Sequence, residues 1–198
     1  MLSEPLGMAA LCYELDRWFK ARGNTPTTVW DVGPGWGKWA LLLREIVASH
    51  RAEEGDMTPS LLNLHLDGFE MCKYFVDHLN KLGLYDYLDS RDFTKEYWRD
   101  SEYPPDLILM FDILEHWTRE EITNTIGELF KSFPKTQILI SVPQQVHMYK
   151  EPYYGEDCPK HKNNLRLQDY RAYFPGCEIT SVVSEDRVHS DIFWMKAK

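Results

Sequence analysis

Positive charge is in short supply in this chain. Its 198 residues carry 22 Lys and Arg against 31 Asp and Glu, a formal net charge of −9. Nucleic acid and anionic membrane surfaces are held by basic patches, so both are disfavoured as partners. Cysteine is also sparse. Cys12, Cys72, Cys158 and Cys177 form no C-x-x-C pair, and their intervals match no zinc pattern, so no metal is expected. The four are expected to be reduced, mostly buried thiols of a cytoplasmic protein. No stretch approaches the roughly 20 apolar residues of a membrane span. Residues 1–10, with Glu4 and Pro5, lack the basic start and long apolar run of a secretory signal. There is no internal repeat and no low-complexity segment. Apolar residues, by contrast, make up 43% of the chain, enough for one substantial core, and a single domain spanning 1–198 is expected.

Periodicity along the chain switches between strand and helix. Leu11, Leu15, Trp18 and Phe19 recur at helical spacing, which predicts an amphipathic helix over Leu6 to Arg22 within an N-terminal segment 1–24. Thr27 to Val32 reads as a strand, followed by a helix from about Lys38 to Ala48. The polar stretch His50 to Ser60 reads as an inserted loop. A second apolar run ends at Leu66 to Glu70, a helix follows over Met71 to Leu82, and a short third strand closes at Ser90 to Phe93. A short helical piece is expected around Lys95 to Asp100. Pro105 to Phe111 is a fourth buried strand. Thr118-Arg119-Glu120-Glu121 has Thr at the N-cap and Glu three places on, a capping box opening a helix to about Phe133. Gln137 to Val142 is a fifth strand and Arg166 to Phe174 a helix. Glu178 to Ser184 and Ser190 to Met195 form a closing strand pair around Glu185-Asp186-Arg187. Strands alternating with helices imply a doubly wound α/β sheet, mostly parallel, with helices on both faces.

The densest signal is Asp31-Val32-Gly33-Pro34-Gly35-Trp36-Gly37, where three alternating glycines join a strand to a helix. Glycine lacks a Cβ and tolerates positive φ, so such a turn lets backbone approach a nucleoside-like ligand at the carboxyl end of a parallel sheet. The spacing argues against a dinucleotide. G-x-G-x-x-G wants its third glycine at position 38, where this chain has Lys38. A carboxylate after the second strand, Glu70 or its competitor Asp67, would suit paired ribose hydroxyls.

With the acidic residue two places before the first glycine, D-x-G-x-G-x-G resembles motif I of the class I SAM-dependent methyltransferases (SAM, S-adenosyl-L-methionine). Asp112-Ile113-Leu114-Glu115-His116, at the end of the fourth strand, resembles motif IV of the small members of that family. The resemblance covers roughly residues 27–145. It implies a seven-stranded sheet with an antiparallel last strand and SAM as cofactor. It also implies Gly33, Gly35 and Gly37 as backbone access, Asp31 as the orienting carboxylate near the methionyl ammonium, and Glu70 rather than Asp67 on the ribose. Asp92 would reach the adenine amino group and Phe93 lie against the ring. Asp112 would sit near the methionyl group, with Trp36 and Trp117 bordering the pocket.

Two absences narrow the acceptor. The chain has neither the (Asn/Asp)-Pro-Pro-(Tyr/Phe) motif of base amino methyltransferases nor a Pro-Cys nucleophile for cytosine C5. A small-molecule acceptor, or a protein side chain, is therefore expected to be methylated at oxygen or nitrogen. SAM already carries an activated methyl, so alignment and removal of a proton are the main tasks. His116 and His161 are the candidate proton acceptors. His161 belongs to the irregular stretch 144–164, rich in Tyr and His (His147, Tyr149, Tyr153, Tyr154), which resembles the lid-like acceptor-side segment of the family, although Lys160 stands where the family pattern has Glu. The competing readings are a non-catalytic SAM-binding or adaptor protein with the same fold and, more weakly, an NAD(P) oxidoreductase.

Overall fold

A computed structural model describes residues 5–23, 25–53, 63–95, 97–101, 103–143, 162, 165–182 and 190–198. The described elements run in the order α1 (Pro5–Arg22), β1 (Thr27–Val32), α2 (Lys38–Glu53), β2 (Leu64–Phe69), α3 (Lys73–Leu82), β3 (Tyr87–Asp89), β4 (Leu107–Phe111), α4 (Arg119–Ser132), β5 (Gln137–Pro143), α5 (Leu167–Tyr173), β6 (Cys177–Ser181) and β7 (Ser190–Ala197). Short 3-10 turns stand at Phe93–Lys95, Tyr97–Asp100 and Leu114–His116.

The strands form one seven-stranded sheet in the order β3-β2-β1-β4-β5-β7-β6. Strands β1 to β5 pair in parallel, and β7 enters antiparallel between β5 and β6. The expected fold class and the antiparallel last strand are thus both present. The order reverses between β1 and β4, so the carboxyl ends of those strands border a crevice where such sheets bind ligands.

Strand residues alternate between two apolar layers, because successive side chains leave a strand on opposite faces. Val29, Leu66, Leu107, Leu109 and Leu139 pack with Leu11, Leu15 and Phe19 of α1 and Trp39 and Leu43 of α2. Trp30, Val32, Ile108, Met110, Ile138 and Ile140 pack with Ile122, Ile126 and Leu129 of α4 and Leu167 and Tyr170 of α5. Both faces of the central strands are therefore covered, which is why these strands read as continuous apolar runs. The Thr118 capping box is formed: Glu121 N–H donates to Thr118 Oγ1 at 3.2 Å, and Thr118 N–H donates to Glu121 Oε2 at 2.6 Å.

Two expectations are corrected. Helix α2 continues to Glu53, so His50 to Glu53 is helical and not the start of an inserted loop. Hydrophobic periodicity cannot see a polar helix end, although Ala, Arg and Glu are good helix formers. Cys72 is disulfide-bonded, whereas Cys12 and Cys177 are free thiols. The expectation of four reduced cysteines therefore fails at Cys72, and cysteine usage no longer argues for a reducing compartment. The turn Glu185-Asp186-Arg187 and the stretch 144–161, with His161, His147, Tyr149, Tyr153, Tyr154 and Cys158, lie outside the described residues. Among the described residues no helix is long and apolar enough to cross a membrane.

Candidate active site

The glycine turn departs from β1 with the positive φ that its sequence anticipates: 72° at Gly33, 54° at Gly35 and 78° at Gly37. At Gly33 the reason is packing as well as conformation. A Cβ there would stand 2.6 Å from Ile113 Cδ1, inside contact distance, so the turn closes directly on the segment that follows β4. Gly35 is different. A Cβ at Gly35 would meet nothing within 4 Å, so the space in front of it is open.

Glu70 stands one residue past the end of β2 and ties this turn to α3. Gly35 N–H donates to Glu70 Oε2 at 3.0 Å, and Cys72 N–H donates to Oε1 at 2.8 Å. Each carboxylate oxygen accepts one backbone donor and keeps a second lone pair for another. Burial raises the Glu70 pKa, and the two backbone bonds oppose that rise. Asp67 is placed quite differently. It lies inside β2, 2% exposed, with His65 Nε2 at 2.9 Å from its Oδ1. Burial pushes its carboxyl up, and the His65 charge opposes this.

Asp31, 2% exposed near the end of β1, accepts a 2.6 Å hydrogen bond from the Tyr85 hydroxyl at its Oδ2. Its pKa is pushed up to about 7, first by burial and then by the Glu70 charge, with the Tyr85 bond opposing. Tyr85 was not foreseen from the sequence, because nothing in spacing marks a contact across 54 positions. Asp112 follows β4 with φ of 53°, a left-handed conformation that Asp tolerates better than most residues. Its N–H donates to Ser141 O at 2.9 Å, and Ser141 Oγ donates to Asp112 Oδ1 at 3.2 Å. Lys38 opens α2 within electrostatic reach of Asp112 and Asp31. Burial lowers its pKa and those two carboxylates oppose the fall.

The remaining sequence candidates fall into separate groups. Trp36 is 44% exposed beside the turn, edge-on to Tyr74, Phe75 and His78 at 5.0 to 5.6 Å. Asp92 Oδ1 accepts from Thr94 N–H at 3.0 Å and Thr94 Oγ1 at 2.8 Å, closing its turn. Phe93 is buried at 6% exposure, stacked on Trp98 and Trp117 with ring centroids 5.7 and 6.1 Å apart. It belongs to the aromatic core under α4, as does Trp117. His116 ends the 3-10 turn after β4, its N–H bonded to Ile113 O at 3.0 Å. The structure thus brings together Asp31, Gly33, Gly35, Glu70 and Asp112 at the carboxyl ends of β1, β2 and β4, while Phe93 faces the core. Glu115, beside His116, was not singled out in the sequence and is buried at 1% exposure. Among the described residues no group of three or more His, Cys, Asp or Glu is arranged to hold a metal ion.

No family model matches the chain, and no curated protein matches it. Solved structures do match over nearly its whole length. Magnesium protoporphyrin IX methyltransferase from Synechocystis PCC 6803 with bound SAM is 16% identical, aligns over 98% of this chain and 81% of its own, and has a TM-score of 0.58. The methyltransferase domain of bacterial CtHen1-C is 11% identical, over 95% and 97% of the two chains, with a TM-score of 0.60. A TehB-like SAM-dependent methyltransferase from Corynebacterium glutamicum is 11% identical, over 93% and 87%, with a TM-score of 0.56. At such identities the likeness concerns the fold, which is that of the class I SAM-dependent methyltransferases.

Proposed function

We propose that this chain is a SAM-dependent methyltransferase that methylates an oxygen or nitrogen of a small-molecule or protein side-chain acceptor. The observation that carries the reading is Glu70, held by Gly35 N–H and Cys72 N–H so that its two oxygens bridge the glycine turn and the start of α3. A carboxylate fixed in this way suits a pair of ribose hydroxyls. Charge separates the cofactors. Asp31, Glu70 and Asp112 ring the turn, which suits a ligand bearing a sulfonium and an ammonium and opposes a pyrophosphate. Solved structures of the same fold with SAM bound support the same cofactor.

SAM supplies a methyl group already activated on a positively charged sulfur. The chain's own residues then bind, orient and handle a proton. Gly33 and Gly35 leave room for backbone approach, Asp31 and Asp112 face the cationic end, and Lys38 with the first turn of α2 suits a carboxylate. Asp92 serves the adenine edge, with Trp36 at the rim. His116 and His161 are the candidate proton acceptors, since a neutral imidazole in reach of an acceptor O–H or N–H contributes about 10² to 10⁴ fold. The test is incubation of the full chain with methyl-labelled SAM and a metabolite extract. Label in an acceptor is expected. Tight SAM binding with no transfer would assign the fold to a binding role instead.

A further inference from the structure

Glu115 poses a problem that the cofactor site does not solve. It lies in the 3-10 turn Leu114–His116, directly beyond β4, and is 1% exposed. Neither carboxyl oxygen has a hydrogen-bond partner outside its own residue among the described residues. Its main-chain carbonyl, by contrast, is occupied, accepting Lys162 N–H at 2.7 Å. Tyr170 of α5 is fully buried too, and among the described residues its hydroxyl also lacks a partner. The charges of the two groups are coupled: burial and then the Glu115 charge raise the Tyr170 pKa, while burial and then Asp112 push the Glu115 carboxyl up to about 8. Buried polar groups are nearly always hydrogen-bonded, and two neighbouring exceptions beside a candidate active site call for a missing partner.

We propose that Glu115 and Tyr170 form the polar anchor of the acceptor site, and that the acceptor presents to them a hydrogen-bond donor, a hydroxyl or an amine, rather than a carboxylate or phosphate. The inference rests on the methyltransferase reading. Its chemistry follows from the surroundings. Asp112 repels an anionic acceptor, and a neutral, unpartnered Glu115 carboxyl keeps its carbonyl oxygen for a donor brought in by the ligand. A site built to hydrogen-bond such a group rejects analogues lacking it far more strongly than an apolar pocket rejects a shape.

The test uses the full chain and has one readout independent of activity. Infrared difference spectra at pH 7, wild type against Glu115→Gln, should show the carbonyl stretch of a protonated carboxylic acid in wild type alone. No such band means that the carboxyl is ionised at pH 7, which overturns the proposal. Methyl-labelled SAM is then offered with three pools of small molecules: amines, neutral alcohols and phenols, and carboxylates with phosphates. Label should enter the first or second pool, and Glu115→Gln should raise the acceptor KM about 10 to 100 fold with SAM affinity unchanged. Tyr170→Phe, which removes one hydroxyl, should raise it less and serves if Glu115→Gln does not fold. Label confined to the anionic pool, or an unchanged KM in both variants, overturns the proposal and leaves the methyltransferase reading intact. Stimulation by Mg²⁺ that Glu115→Gln abolishes also overturns it, since the missing partner is then a cation. No label from wild type in any pool overturns the methyltransferase reading and the anchor with it.

Discussion

Glu70 and Glu115 are both buried carboxylates at the carboxyl edge of the sheet, one past β2 and the other past β4, yet their surroundings are opposite. Glu70 is complete: two backbone N–H groups hold it, one from the glycine turn and one from the start of α3. Glu115 is incomplete: among the described residues neither oxygen is partnered beyond its own residue, and Asp112 adds a like charge nearby. On the proposed function the difference separates two tasks. A group that must hold the same cofactor in every cycle can be fixed in advance by backbone. A group that awaits a varying acceptor keeps its hydrogen-bonding capacity unspent, at a cost in stability.

Asp31 lies between the two, with one hydroxyl partner and a carboxyl pushed up to about 7. Its folded pKa stands above the ordinary carboxylate value near 4, so the folded state holds the extra proton between about pH 4 and 7 and stability falls as pH rises through that window. Asp31→Asn removes the titration. The variant should be more stable than wild type by about 2 to 4 kcal/mol at pH 8, the gain vanishing near pH 4, while SAM binding weakens. Urea denaturation at the two pH values checks it; an equal difference at both would mean that Asp31 is not held neutral by burial.

Glu70→Ala should weaken SAM binding by about 1.5 to 3 kcal/mol, or 10 to 150 fold, whereas Asp67→Ala should change it far less. Calorimetry on folded variants decides between them. A larger loss at Asp67 would place the ribose carboxylate inside β2 and dissolve the contrast with Glu115. The effect at Thr118 is smaller. Thr118→Ala removes the cap of α4 immediately after the turn that carries Glu115 and should cost about 1 kcal/mol of stability with SAM affinity unchanged. If SAM affinity falls with it, the two carboxylates are coupled through the turn and are not independent.

The backbone frame of the candidate site was legible because it rests on local chemistry. The glycine turn at 33–37 needs positive φ, and the Thr118 cap needs a side-chain oxygen three residues before Glu121; both are read from a few adjacent residues. Strand β1 fell where its apolar run placed it, at Thr27–Val32. What could not be read depends on contacts between distant positions. The Tyr85 bond to Asp31, the burial of Glu115 and of the Tyr170 hydroxyl, and the disulfide at Cys72 leave no periodic trace. Phe93 shows the same limit at close range: its stacking with Trp98 and Trp117 is not marked by its position after β3. The end of α2 was missed because charged residues satisfy a helix without signalling one.

Whether the glycine turn and Glu70 form a SAM site is decided by calorimetric titration of the full chain with SAM, S-adenosylhomocysteine and NAD in parallel. Saturable 1:1 binding of the first two and none of NAD is expected, with thermal stabilisation of roughly 2.7 kcal/mol at a hundredfold excess of SAM over its Kd. Binding of NAD in preference to SAM, or no heat and no shift in melting with millimolar SAM, would contradict it.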